Sequence, residues 1–518
     1  MPKHLETTGA LVLGGDYRAL TVVRSLGRHG ISVWVLPEQQ RLAAKSRYAL
    51  REIRLPRGDD NAQVNFLLTL AEQHGLKGWI LFPTEDSHAA MLARNRARLE
   101  ARFRLITSPW ETIEIAYDKR ATYKVAERLG VDCPATHYPK TREELESLEC
   151  VYPVILKPAV KAGSNRFTRQ KAWRIDDRVS QLSHYDAACE LIDPDLIMVQ
   201  ELIPGGGEAQ FSYGALCIDG DPLASIVARR SRQYPVDFGR SSSFVETVEA
   251  PEVEDIARKM LEAIRYTGLI EAEFKYDRRD GRYKLLDLNP RVWGWHTLAL
   301  AEGLDFPYFA WRLAQQLEVP NIRVSPGHRW VRMSTDTMAA AREILSEKLA
   351  LSSYLRSLRS PLQHAILAFD DPIPFLLEIP MVSSAKLFER FKELRGKAVK
   401  HAGSQNPRGQ TGRVSQTDDS ANRIYLSRCL CEADLKKALD LLRTASVSVL
   451  KAEIVSAYEQ VAGAVIELKS GKDTAKAFTA ISEAGLKASM SGGHHERVLE
   501  VHDTIVTAPS IEPLPKAS

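Results

Sequence analysis

The chain has 518 residues, which is enough for three or four domains of ordinary size, and a net charge of +4 at pH 7. Its 44% hydrophobic and 26% charged residues are typical of a soluble globular protein, and so small a net charge does not indicate a nucleic-acid partner. The sequence contains no run of 18 apolar residues, so it predicts no membrane-spanning helix. The six scattered cysteines predict neither a disulfide framework nor a zinc site, which favours a reducing cytoplasm.

The first 117 residues alternate between strand and helix patterns. Strands are predicted at 10–13, 79–82 and 103–106, and a further strand is predicted to end at Leu36. Helices are predicted at 60–74 and 86–99. Alternating β and α elements predict a parallel sheet covered by helices. The first turn reads G-G-D-Y-R, so the G-x-G-x-x-G fingerprint of a dinucleotide site is absent.

Two lysines after this region are placed where they could meet anions. Lys119 follows Asp118, which suits a helix N-cap. The apolar run 154–156 leads Lys157 into the interior, where a lysine is costly without an anionic partner such as a nucleotide phosphate. The loop 163–165, Gly-Ser-Asn, could close over phosphates with its backbone N–H groups. The alternatives are a surface lysine at 119 and a strand-end lysine beside an ordinary turn at 157.

Residues 228–246 contain four arginines ahead of the segment that carries most of the chemistry. Because guanidinium groups bind carboxylates in a bidentate way, we interpret Arg229, Arg232 and Arg240 as candidates for holding a carboxylate substrate. A solvated basic loop is an equally good interpretation of the same residues.

Residues 270–295 predict two strands joined by a hairpin at 278–281. We expect an odd-length loop of three or five residues centred on Asp280, because that register pairs Glu273 with Asp287. A two-residue loop would shift the pairing by one and send the two carboxylates to opposite faces of the sheet.

Alternation along the two strands sorts the side chains of this hairpin into two faces. The expected polar face carries Glu271, Glu273, Lys275, Leu285, Asp287 and Asn289, and the opposite face carries Ala272, Phe274, Tyr276, Leu286 and Leu288. Two carboxylates this close repel each other unless a cation lies between them. Oxygen ligands with open positions suit Mg²⁺ that carries nucleotide phosphates, and Arg291 places a positive charge beside it. The alternative is a solvated polar hairpin face.

Together these motifs resemble the ATP-grasp superfamily. The pattern D-x-N-P-R at 287–291 resembles the metal-binding end of its catalytic domain, and D-K…L-G-V-x-x-P at 118–134 resembles the entry to that domain. The likeness is greatest to the carboxylate–amine ligase branch, with a plan similar to carbamoyl-phosphate-synthase-like and D-aspartate-ligase-like enzymes. Some relatives carry an arginine where this chain has Glu271, so the resemblance assigns the transition-state role to Arg291.

The resemblance also implies a role for each candidate residue. The implied ATP-binding residues are Lys119, Lys157, Glu201, Ile203 and Glu208, the implied metal ligands are Glu273, Asp287 and Asn289, and the implied catalytic residue is Arg291. Glu201 and Ile203 would contact adenine through backbone groups. Glu208 would bind ribose through its carboxylate or, in the alternative, only cap a turn.

The activity that the resemblance implies is ATP-dependent ligation with Mg²⁺ or Mn²⁺. A carboxylate would be phosphorylated to an acyl phosphate and then joined to an amine. The alternatives are a kinase acting on a small molecule and a nucleotide-binding sensor. The expected partners are a small-molecule carboxylate and a small-molecule amine, with neither nucleic acid nor membrane, and a homodimer is left open.

The expected fold is an α/β parallel-sheet domain, an α+β ATP-grasp domain and a C-terminal α+β module. The predicted boundaries are 1–117 for the first domain, 118–320 for the catalytic domain, 321–400 for a helical extension, 401–422 for a flexible linker, 423–506 for the module and 507–518 for a disordered tail. Strands and helices alternate as βαββαβ in the module, which is similar to a ferredoxin-like or ACT-like fold.

Overall fold

A computed structural model describes residues 8–160, 165–170, 172–236, 239, 241–359 and 361–378, together with the strands 423–427, 449–457, 460–468 and 488–489. The chain divides into two compact units, Met1–Lys400 and His401–Ser518. No helix among the described residues is long and apolar enough to cross a membrane.

The first unit begins with a five-stranded parallel sheet in the order β3-β2-β1-β4-β5. Its strands are β1 (Ala10–Leu13), β2 (Val33–Leu36), β3 (Ala49–Glu52), β4 (Ile80–Pro83) and β5 (Arg104–Leu105). Its helices are α1 (Tyr17–Arg28), α2 (Asp60–His74), α3 (Asp86–Arg94) and α4 (Arg96–Leu99). The predicted parallel α/β sheet is confirmed, and β3 is a strand that the sequence did not indicate.

Side chains of the protein itself fill the space around the turn after β1. Gly14 has φ of +113°, and a Cβ there would lie 2.2 Å from Thr84 Oγ1. The Asp16 carboxylate accepts hydrogen bonds from the N–H groups of Arg18 and Ala19 at the start of α1. A carboxylate of the protein therefore occupies the helix N-terminus where a dinucleotide places its pyrophosphate.

A small four-stranded antiparallel sheet follows, in the order β6-β9-β7-β8. Its strands are β6 (Thr136–His137), β7 (Val154–Pro158), β8 (Trp173–Ile175) and β9 (Ile197–Glu201). The helices of this region are α5 (Trp110–Tyr117), α6 (Lys119–Arg128), α7 (Arg142–Ser147), α8 (Arg166–Arg169) and α9 (Arg178–Cys189). Asp118 caps α6 by accepting from the N–H of Arg120, as the sequence predicts.

The largest sheet has eight strands, of which seven follow the order β14-β13-β10-β11-β12-β16-β17, while β15 pairs with β11. These strands are β10 (Gln210–Ile218), β11 (Asp221–Tyr234), β12 (Ser241–Thr247), β13 (Gly268–Asp277), β14 (Arg282–Asn289), β15 (Ile322–Arg323), β16 (Arg329–Val331) and β17 (Leu362–His364). The helices of this region are α10 (Pro251–Ala263), α11 (Phe306–Ala314), α12 (Met333–Leu345) and α13 (Leu351–Ser357).

The segment after residue 320 is not a separate helical extension. Its strands β15, β16 and β17 complete the largest sheet, so the predicted boundary at 320 separates strands that belong to one hydrogen-bonded sheet. Sequence periodicity favoured helices because α12 and α13 dominate the segment, whereas its three strands have only two or three residues each.

One apolar core joins the N-terminal sheet to the largest sheet. It contains Val12 and Ile80 from the parallel strands, Leu20 from α1, and Trp293 and Phe306 from the region after β14. All five side chains are almost completely buried. The two sheets are therefore held together by shared apolar burial, which places the end of β14 next to the carboxyl ends of β1 and β4.

The second unit contains an antiparallel sheet in the order β19-β20-β18-β21. Its strands are β18 (Arg423–Ser427), β19 (Val449–Ala457), β20 (Gln460–Leu468) and β21 (Ala488–Ser489). The predicted linker, tail and two helices of this module lie outside the described residues. Its ferredoxin-like or ACT-like fold therefore stays a prediction.

A buried ion pair fastens residues 361–378 onto the N-terminal sheet region. Asp371 accepts from Arg24 Nε at 2.9 Å, from Ser46 Oγ at 2.6 Å and from the backbone N–H of Arg47 at 3.0 Å. Its side chain is only 1% exposed. The neighbouring Asp370 pairs with Arg28 at the surface.

We expect Asp371→Ala to destabilise the first unit by about 3–5 kcal/mol, because it leaves a buried guanidinium without its carboxylate. Asp370→Ala is the matched control and should cost at most about 1 kcal/mol, since its ion pair is solvated. Urea unfolding followed by tryptophan fluorescence measures both. Equal losses in the two variants would contradict the assignment.

Candidate active site

The site is built on the hairpin of β13 and β14. Glu273 pairs directly with Asp287, and Glu271 pairs with Asn289, as the sequence predicts. The predicted odd-length loop is wrong: Asp277 pairs with Arg282, which leaves the four residues 278–281 in the turn. The register is restored by a bulge, because Phe274 pairs with Leu285 and Leu286 has no partner across the ladder.

This bulge changes which side chains share a face. Leu285 and Leu288 both pack in the core with Phe274. Leu286 instead lines a cavity together with Asp287. The predicted faces of Leu285 and Leu286 are therefore interchanged, since an extra residue in one strand reverses the alternation beyond it.

The bulge is stabilised from outside the hairpin. The Tyr123 hydroxyl, on α6, donates to the carbonyl oxygen of Leu286 at 2.9 Å. The Gln200 Nε2 donates to the same hydroxyl at 3.1 Å and to Thr136 Oγ1 at 2.7 Å. Burial raises the pKa of Tyr123 well above its usual value, so this hydroxyl stays a donor.

The two paired carboxylates each face a cation. Lys119 Nζ lies 2.9 Å from Asp287 Oδ1. Arg230 Nη2, from β11, lies 3.6 Å from Glu273 Oε2. Burial disfavours the charged form of Lys119, but Asp287, Asp86 and Glu273 raise its pKa above the usual value. Lys119 therefore stays protonated in the cavity.

Arg291 is held between the hairpin and the N-terminal sheet. Its Nη2 donates to Asn289 Oδ1 at 2.9 Å, and its Nε lies 3.0 Å from Asp86 Oδ1 at the start of α3. Sequence reasoning missed Asp86. The available signal was its place just after the carboxyl end of β4, where parallel sheets present their functional residues.

Glu271 is a third carboxylate behind the pair. It is 4% exposed, and its oxygens accept from Trp295 Nε1 at 2.8 Å and from Asn289 Nδ2 at 3.3 Å. Burial and then the charge of Glu273 raise the pKa of Glu271. The Asn289 Nδ2 also donates to Glu273 Oε1 at 3.1 Å, so the carboxamide is oriented by both acids.

The cavity between the small and the largest sheet has a volume of about 260 Å³. Its charged and polar lining includes Asp86, Lys119, Lys157, Gln200, Glu201, Glu273, Lys275, Asp287, Asn289 and Arg291, and its apolar lining includes Ile155, Leu202, Ile203 and Leu286. Lys119 from α6 and Lys157 from β7 thus line the same cavity. Of the predicted loop 163–165, only Asn165 lies within the described residues, where it caps α8.

Two ATP-binding candidates have carboxylates that are engaged by the protein itself. Glu201 lines the cavity, and its carboxylate binds Lys284 Nζ at 3.0 Å and Arg279 Nη2 at 2.8 Å. Glu208 is exposed and accepts from the N–H of Gly206 at 3.0 Å. This is the turn-capping contact that the sequence left open, and the ribose role has no support from the cavity lining.

Two of the three arginines predicted to hold a substrate are engaged by the protein itself. Arg232 is buried and binds Asp336 through Nε at 2.8 Å and Nη2 at 2.7 Å. Arg229 is half-exposed and lies 3.5 Å from Glu246. Arg240 lies outside the described residues. Among the described arginines of this group, Arg230, which the sequence did not single out, approaches the hairpin acids.

The oxygen donors of the hairpin fit a hard divalent cation. Within the described residues, no cluster of three or more His, Cys, Asp and Glu side chains has the geometry of a metal site. Two carboxylates and one carboxamide leave positions for water and phosphate oxygens, which is the way Mg²⁺ is usually held. Asn289 Oδ1 already accepts from the Arg291 guanidinium, and its second lone pair is left for a cation.

Residues 195–336 match the family model described as ATP-grasp in the biosynthetic pathway with Ter operon. The chain is 26% identical over 250 residues to a D-aspartate ligase of Enterococcus faecium (strain Aus0004), covering 45% of this chain and 58% of that enzyme. It is 25% identical over 202 residues to the carbamoyl phosphate synthase large chain of Methanothermobacter thermautotrophicus, covering 36% of this chain and 18% of that one. The chain thus spans less than two thirds of either relative.

Among solved structures, the L-amino acid ligase from Bacillus licheniformis is similar with a TM-score of 0.48 and 15% identity, over 60% of this chain and 74% of that one. The family match and the two curated relatives confirm the ATP-grasp resemblance that the sequence motifs indicate.

We expect Tyr123→Phe to lower the free energy of unfolding by about 1–3 kcal/mol, because it removes the donor to the half-buried Leu286 carbonyl and the acceptor for Gln200. Tyr138→Phe is the control: this half-buried ring packs against the cluster of Tyr123, Ala159 and Met198, and its hydroxyl makes no hydrogen bond to the described residues. Chemical denaturation compares the two. If both variants lost the same stability, the bulge would not depend on the Tyr123 hydroxyl.

Proposed function

We propose that this ATP-grasp chain is a ligase that activates a small-molecule carboxylate as an acyl phosphate and joins it to an amine, with release of ADP and phosphate. The observation that carries the proposal is the pairing of Glu273 with Asp287 in a cavity that Lys119, Lys157 and Arg291 also line. Likeness to a protein named D-aspartate ligase supports carboxylate–amine chemistry.

The nucleotide is proposed to lie along this cavity. Lys119 and Lys157 would contact its phosphates, since both line the cavity and Lys119 Nζ lies 2.9 Å from Asp287 at the acidic end of the hairpin. The backbone of Glu201 and Ile203 would read the adenine at the other end. Ile155 and Leu286 provide apolar surface for the base.

Glu273, Asp287 and Asn289 are proposed to hold Mg²⁺ or Mn²⁺, which would neutralise negative charge on the ATP phosphates. The protein prepares this position with its own groups. Lys119 lies 2.9 Å from Asp287 and Arg230 lies 3.6 Å from Glu273, so each of the facing carboxylates has a cation of the protein beside it.

In the proposed reaction a substrate carboxylate oxygen forms a bond to the γ-phosphorus while the bond to the β-phosphate oxygen breaks, so that ADP leaves. The amine nitrogen then attacks the acyl carbon, phosphate departs, and the amine proton passes to solvent. Arg291 would stabilise charge on the phosphoryl group and on the tetrahedral intermediate. Asp86 orients this guanidinium from the N-terminal sheet.

Of the predicted set, Arg232 is buried in a bidentate pair with Asp336, which argues against a substrate role for it. Arg229, which is half-exposed and 3.5 Å from Glu246, and Arg240 are kept as candidates. The boundaries of the domains after residue 400, a cytoplasmic location and a possible role of the C-terminal unit in dimerisation stay proposals from sequence.

The proposal is tested by a screen of carboxylates and amines for ADP release. A ligase releases ADP only when both substrates are present and yields an amide. Release with the carboxylate alone, together with a stable phosphorylated product, would identify a kinase. ATP binding without release under every combination would favour a sensor.

Asp287→Asn should lower kcat on the order of 100-fold or more, because it removes one negative charge from the proposed metal position while keeping side-chain size. Asp255→Asn, on the exposed face of α10, should retain activity. Steady-state ADP release at limiting Mg²⁺ measures both. Near-normal turnover of the Asp287 variant would refute the metal assignment.

Lys157→Ala should weaken ATP binding by about 1–3 kcal/mol, the usual worth of a hydrogen bond to a charged group. Lys140→Ala, in the same region, removes a solvent-exposed lysine and should leave binding unchanged. Titration calorimetry of both variants with ATP decides the point. Unchanged affinity in the Lys157 variant would contradict its phosphate role.

A further inference from the structure

Four charged residues form a closed network at the turn end of the hairpin. Lys284 Nζ lies 2.9 Å from Asp277 Oδ2 and 3.0 Å from Glu201 Oε1. Arg279 completes the ring, with Nε 2.8 Å from Asp277 Oδ1 and Nη2 2.8 Å from Glu201 Oε2. We call Glu201, Asp277, Arg279 and Lys284 the hinge latch.

The hinge latch is more enclosed than an ordinary surface ion pair. The Asp277 side chain is fully buried, and those of Lys284 and Glu201 are 12% and 20% exposed. Hydrogen bonds from Arg279 hold the pKa of Asp277 far below its usual value. Burial opposes the charge of Lys284, but Asp277 and Glu201 raise its pKa. Two acids and two bases therefore stay ionised and mutually paired.

The hinge latch connects two sheets. Glu201 is the last residue of β9 in the small sheet, whereas Asp277 and Lys284 lie on β13 and β14 of the largest sheet. Two further bonds fix the chain on either side: Glu201 Oε1 accepts from the N–H of Ala135 at 3.0 Å, and Lys275 Nζ donates to the carbonyl of Gly205 at 2.5 Å.

We propose that the hinge latch positions the backbone of residues 201–203 for adenine recognition, so that Asp277, Arg279 and Lys284 are positioning residues for the base. This inference rests on the proposed ATP site. The same hairpin carries Glu273 and Asp287 at its other end, and the hinge latch thereby sets the distance between the base and the metal position. Loss of a latch charge should weaken binding of the base and leave phosphate binding alone.

The test compares ADP with inorganic tripolyphosphate, which has no base. Lys284→Met should raise the Kd for ADP about tenfold and leave the Kd for tripolyphosphate unchanged, measured by titration calorimetry with Mg²⁺. The KM for ATP should rise by a similar factor, while kcat stays within about twofold. Arg279→Gln, at the half-exposed side of the network, should raise the Kd for ADP about threefold and serves if the first variant does not fold.

Arg282→Gln is the matched control, because Arg282 lies on the same hairpin and pairs with Asp132 in solvent. It should bind both ligands as the wild type does. Equal weakening of ADP and tripolyphosphate in the latch variants, or no weakening of ADP, would overturn the positioning role alone. A wild-type protein that binds neither ADP nor ATP would overturn the proposed function as well.

Discussion

The arrangement of the site depends on cations that compensate for the negative charge of carboxylates that have been removed from water. Glu271, Glu273 and Asp287 lie on one largely buried face of a two-stranded hairpin. Desolvated carboxylates are costly unless cations and hydrogen-bond donors approach them closely. Lys119 and Arg230 provide that charge, and each comes from an element outside the hairpin.

This constraint explains why so many elements meet at one cavity. Lys119 is fixed at the first residue of α6 by the cap of Asp118, and Arg291 is fixed from the N-terminal sheet by Asp86. The apolar core shared by the N-terminal and largest sheets holds those elements at contact distance. Charge compensation needs positions accurate to a fraction of an ångström, and a close-packed core supplies that accuracy.

The two ends of the hairpin contribute different groups to the two ends of the cavity. Its open end carries the acids and the Asn289 carboxamide, whereas its turn end contacts the small sheet through Glu201. The bulge at Leu286 lies between these ends and is held by the Tyr123 hydroxyl. A single pair of strands therefore connects the proposed metal position, one wall of the cavity and the hinge latch.

The sequence predicted the pairing of Glu273 with Asp287 through an odd-length loop, whereas the structure reaches that pairing through a four-residue turn and a bulge. The sequence by itself determined the parallel N-terminal sheet, the cap at Asp118 and the two strands of the hairpin, and it brought Lys157 and Arg291 to one cavity. These follow from alternation, apolar runs and capping residues, which act over a few neighbouring positions. Only the tertiary structure decided the bulge at Leu286, the engagement of Arg232 by Asp336 and the place of Asp86 beside Arg291. Each of these depends on a partner that lies far away in the chain, and local periodicity carries no information about which distant charge or hydroxyl will arrive.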